Sequence, residues 1–173
     1  RYIMEWHFFK DGTLRPRFRF GAVESSCVCR VHNHHAYWRL DFDILNTANV
    51  VEVSQGGNWT PILTETSTTR VANELLAWRV RHATKKRNGQ PFGYEIIPGI
   101  DDAVGDAFSG PDQYVLRYHR GVVDDGRRDV SDAPSVLNTQ VNGEKTGPSA
   151  DVVVWYAAHF VHEQDPEGIS HPR

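Results

Sequence analysis

His32 and His34, one residue apart, are the most chemically suggestive pair in the chain. On an extended strand, residues two apart share a face, so both imidazoles project side by side and can converge on one metal ion. Nitrogen donors of this kind suit copper or zinc. Asp41 and Asp43 form a second pair at the same spacing. Their hard oxygens suit Ca²⁺ better than Cu²⁺. Near the C-terminal end, Asp151 and His162 bracket an apolar run from Val152. By alternation His162 shares parity with Val152, Val154 and Tyr156, and Asp151 takes the opposite parity. If that run pairs with the strand around His32 to Ile44, three histidines meet on one face and three aspartates on the other. The pattern alone leaves the plainer readings open: core histidines held by backbone, and aspartates on a wet face.

Strands must position these residues, and period two dominates the sequence. Leu14, Pro16, Phe18 and Phe20 alternate with Arg15, Arg17 and Arg19. Trp38, Leu40, Phe42 and Ile44 alternate with Tyr37, Arg39, Asp41 and Asp43. Leu76 to Arg81 and Tyr114 to Tyr118 follow the same rule. Val152 to Phe160 is β-branched and aromatic enough to be a strand covered on both faces. Asp11-Gly12-Thr13, Asn88-Gly89 and Pro98-Gly99 read as turns. Only Thr69 to Leu76 has helical character, and the stretches 101–112 and 122–149 read as long loops. The fold expected is all-β: a β-sandwich with long loops, residues 1–173 forming one domain.

Composition limits the function classes. Nineteen Lys and Arg against 22 Asp and Glu give a net charge of −3, which offers no general phosphate-backbone binder and no expected nucleic-acid partner. The longest apolar run, Val152 to Ala158, is far short of the ~20 residues of a membrane helix, so no membrane span is expected. The chain begins at Arg1, which suggests a fragment or truncated version of a longer domain. Cys27 and Cys29 are too few for a disulfide scaffold. Small hydrophobes, a strained disulfide and Cu(I) ligands all stay open for them. His35 and His159 alternate onto the carboxylate side and are expected to be exposed. The Arg15, Arg17 and Arg19 strip is expected to be solvated or paired with acids. Trp59 is either a loop anchor or an interaction residue.

Several of these stretches, in order, resemble the C-terminal part of the copper amine oxidase catalytic domain. His32-Asn33-His34 followed by Arg39-Leu40-Asp41-Phe42-Asp43 is similar to that family's His-x-His and Arg-Leu-Asp-x-Asp segment. Trp78, Lys85, Asn88-Gly89-Gln90-Pro91, Gly93-Tyr94 and Pro98-Gly99 resemble the next stretch, and Tyr114 to His119 the strand after it. Asp151 to Trp155, with His162 seven residues past Trp155 and then Pro166-Glu167, resembles the segment carrying the third ligand. The match is colinear from about Tyr2 to Glu167. It implies copper on His32, His34 and His162. It also implies a calcium-type site from Asp41, the Phe42 carbonyl, Asp43, Asp151 and the Val152 carbonyl.

The activity implied is oxidation of a primary amine by O₂ to aldehyde, ammonia and hydrogen peroxide, using a topaquinone-type quinone made from a tyrosine. Aligning Trp6 to Thr13 with the family places that tyrosine just before Arg1, and the catalytic base further upstream. Tyr2 takes the cofactor role only if the alignment slips by two residues. A non-catalytic copper-binding sandwich, acting as a structural or interaction module, is the alternative. A cupin-type enzyme also starts from His-x-His but expects a Glu three or four residues later, where Trp38 stands. Family members are dimers, so a homo-oligomer or association with another chain is expected. So is an extracellular or secreted location, where the sequon Asn58-Trp59-Thr60 would matter.

Overall fold

The computed structural model describes residues 2–20, 31–71, 74–100, 102–120, 133–148 and 150–162, without the side chains of Phe20 and residues 133–135. Cys27, Cys29, Pro166 and Glu167 lie outside the described residues. Among the described residues, ten strands and one short helix follow in the order β1 (Tyr2–Phe8), β2 (Leu14–Phe20), β3 (His32–Leu40), β4 (Asn49–Gln55), β5 (Asn58–Pro61), β6 (Thr66–Thr68), β7 (Leu76–Arg87), β8 (Gln90–Ile96), β9 (Gln113–Arg117), α1 (Ala133–Gln140) and β10 (Val152–His162). The chain is all-β. Two four-stranded antiparallel sheets, ordered β3-β10-β9-β6 and β5-β4-β7-β8, accompany a separate β1-β2 hairpin.

The two large sheets share one apolar core. Trp38, Val115, Val152, Val154 and Tyr156 of the first meet Val51, Leu76, Trp78, Val80 and Ile96 of the second. In β10 these are the even-numbered positions, as a two-residue period requires. The odd positions Val153 and Trp155 are buried on the other face, with Tyr114, Leu116 and Leu137 of α1. That second layer is why β10 is apolar on both faces.

The turns at Gly12 (φ 91°) and at Asn88-Gly89 (φ 52° and 78°) stand where their sequences place them. Three expectations are corrected. The strand through Trp38 stops at Leu40, and the chain then turns through Leu45 at φ 68°. The described residues between Thr69 and Leu76 form no helix. The loop expected over 122–149 contains α1, whose Leu137 is 1% exposed. Pro134 in its first turn suits a helix start, because the N–H that proline lacks has no acceptor there.

Candidate metal centre

Strands β3 and β10 are antiparallel neighbours, with His162 opposite His32 and Phe160 opposite His34. The register puts His32, His34 and His162 on the inward face. One ring nitrogen from each lies within 4.8 Å of the others. Ring centroids are 4.6 Å apart for His32–His34, 4.8 Å for His32–His162 and 5.7 Å for His34–His162. All three side chains are half-buried.

The hairpin roofs this end of the sheet. Its apolar side gives Phe18, which packs 5.6 Å from Phe160 and 6.3 Å from His34, and Trp6, which meets Trp38 edge-on at 5.1 Å. Tyr2 stacks on Phe18 and stands edge-on to His34 at 6.3 Å, while remaining 65% exposed. On the other side of the hairpin Arg19 pairs with Glu5, and Arg15 lies over Phe9. Burial lowers the basicity of His34, and charge on His32, His162 and His35 lowers it further. A histidine held neutral keeps the lone pair that a metal needs.

The carboxylates also converge. Asp41, Asp43 and Asp151 each place an oxygen within 4.8 Å of the others. Burial, then the charges of Asp41 and Asp43, push the Asp151 carboxyl above its ordinary range, against a smaller pull from Arg39. A cation between the three would relieve that repulsion. The two clusters are separated chiefly along the strands: imidazoles at the start of β3 and end of β10, aspartates at the opposite end of the pair. At ~3.3 Å per residue they stand roughly 20–30 Å apart.

The expectation that His35 and His159 are exposed is corrected. They face each other across the β3–β10 pair with their Nδ1 atoms 2.9 Å apart, and His159 is 1% exposed. His159 Nε2 faces Asp112 Oδ1 at 3.3 Å, and His35 Nε2 faces Asp106 Oδ2 at 3.7 Å. Asp112 is fully buried and also accepts from the backbone N–H of Arg70 at 2.8 Å. The 102–112 loop covers this face. A Cβ on Gly105 would come within 2.7 Å of Ser109 Oγ and 3.3 Å of His159 Nε2, so the loop fits only with glycine there. Burial raises the Asp112 pKa, but hydrogen bonding from His159 and Arg70 outweighs it and holds the group below its ordinary value.

Trp59 lies on β5 with its ring 4.1 Å from the guanidinium of Arg79. Among the described residues no helix is long and apolar enough to cross a membrane. No protein-family model matches the chain, and no curated protein matches it at a significant level.

Proposed function

We propose that this chain is a copper-binding β-sandwich of the copper amine oxidase type, holding copper on His32, His34 and His162 and serving oxidation of a primary amine by O₂. The observation that carries this reading is the convergence of three imidazole nitrogens, from two hydrogen-bonded strands, within 4.8 Å. The donor set fits the metal: three imidazoles on a fixed sheet suit Cu(II), and the aromatic roof limits access by water. Bound copper would supply one-electron chemistry with O₂. The chain's own residues hold and orient the metal, and Phe18, Phe160 and Trp6 keep its surroundings apolar. The quinone requires a tyrosine beside the metal. Tyr2 is the candidate on this chain, because its ring stands 6.3 Å from that of His34. Asp41, Asp43 and Asp151, with the Phe42 and Val152 carbonyls, would hold a calcium-type ion that ties the start of β10 to the end of β3.

Protein isolated from its natural source should contain copper at one equivalent and give a positive quinone redox-cycling stain. Copper with a negative stain would leave the metal assignment standing and refute the oxidase, in favour of a non-catalytic copper module. Absence of copper would refute the whole reading.

The two clusters should respond separately. Asp41→Asn is expected to keep full copper content while losing calcium-dependent stabilisation. In the unaltered chain that stabilisation should approach about 2.7 kcal/mol at a hundredfold excess over the dissociation constant, read as a rise in melting temperature. Copper loss in this variant would show that the clusters are one unit.

A further inference from the structure

Strand β7 carries Arg79, Arg81, Lys85, Lys86 and Arg87 within nine residues of a chain whose net charge is −3. Its pairing with β8 shifts register between Arg81 and Lys86. A cleft of about 260 Å³ opens there, lined by Arg79, Arg81, Lys85 and Lys86. Buried Glu52 ties its two arginines together. Arg81 gives Nε and Nη2 to the two Glu52 oxygens at 2.9 and 2.8 Å, and Nη1 to the carbonyls of His82 and Ala83 at 3.2 and 3.0 Å. All three of its nitrogens are thereby committed.

Arg79 is different. It gives Glu52 only its Nε, and Trp59 stacks on its guanidinium. Its two terminal nitrogens have no acceptor among the described residues, although the side chain is only 15% exposed. The irregular stretch of β7 beside it is fixed by His82, whose Nδ1 accepts from the backbone N–H groups of Thr84 and Lys85 at 3.2 and 3.0 Å. The acids nearby are Glu52 and Glu95, the latter opposite Arg79 in the register. Four cations therefore line the cleft, against these two carboxylates.

We infer that this cleft binds an oxyanion, a phosphate or sulfate group, with the Arg79 fork donating to it and the Lys85 and Lys86 ammonium groups neutralising it. Guanidinium nitrogens match two oxygens of such a group at once, and lysines add point charge on flexible stems. The cleft lies in the sheet that does not carry the three histidines, so it is independent of the copper reading.

The test is NMR titration of the full chain with inorganic phosphate and, separately, inorganic sulfate, at constant ionic strength. Melting temperature is a poor readout here, since both ions stabilise proteins generally by exclusion from their surfaces. Saturable shifts at the amides of Thr84 to Arg87 are expected with at least one ion, and which ion binds identifies the group. Lys85→Gln/Lys86→Gln and Arg79→Lys should each weaken binding by about tenfold or more, the scale of one charged hydrogen bond. Unchanged affinity in either variant would overturn the inference, as would non-saturating shifts spread along the chain. The double variant changes two exposed side chains and should fold and carry copper as the unaltered chain does.

Discussion

Replacing His34 by alanine should remove stoichiometric copper, while replacing its neighbour His35 should not. His34 faces inward with His32 and His162, and His35 faces outward toward His159. Loss of one of three imidazoles should cut copper affinity by more than about a hundredfold, because even the hydrogen-bond partners of metal ligands are typically worth 10–100-fold. Total copper after dialysis, with the electron paramagnetic resonance signal of bound Cu(II), reads both variants. Full copper in His34→Ala would sink the site. Copper loss from a folded His35→Ala would show that adjacent residues do not project to opposite sides of the sheet. The second variant is needed because a destabilised chain can lose its metal for reasons unrelated to coordination.

Asp112→Ala should produce a large loss of stability on the outer face. It removes the acceptor of the Arg70 backbone N–H and leaves Arg70 and His159 facing a hole where their carboxylate was. Breaking a buried ionic contact from one side costs about 3–5 kcal/mol, a large part of the ~5–15 kcal/mol that holds a domain together. The denaturant midpoint should fall accordingly, and an unchanged midpoint would mean that this carboxylate ties nothing. The same group predicts a direction with pH. Its folded pKa lies below the ordinary carboxylate value, so its stabilisation is present above the ordinary carboxylate range and fades as the pH falls through that range and below it. Asp112→Ala should lack that part of the acid sensitivity.

The imidazole cluster was largely legible because alternation is a property of the strand itself. His32, His34 and His162 share parity with Trp38 and Tyr156, and that parity predicts which face they take. What parity does not contain is adjacency: β3 and β10 stand at distant places in the sequence, and only the folded sheet puts them side by side. His159 departs from the expected exposure for a related reason. Residues opposite a core face are wet only if nothing covers them, and here α1 and the 102–112 loop form a further layer. The helix was hidden because it is eight residues long, inside a stretch rich in Gly, Asp and Ser, and it is held by tertiary packing of Leu137 more than by its own propensity. Strand β3 was expected to run on to Ile44 because the alternation of types continues there. It stops at Leu40, and Phe42 still packs toward the core while Asp41 and Asp43 stay exposed.

The pairing of His162 with His32 also sets a timetable. The third imidazole stands more than a hundred residues downstream of the first two, on a strand whose partner must already be waiting. Until β10 is made, the proposed copper site has only His32 and His34 of its three ligands. Contacts of such long range form late. On the proposed copper reading, secure loading would therefore follow closure of the β3–β10 seam.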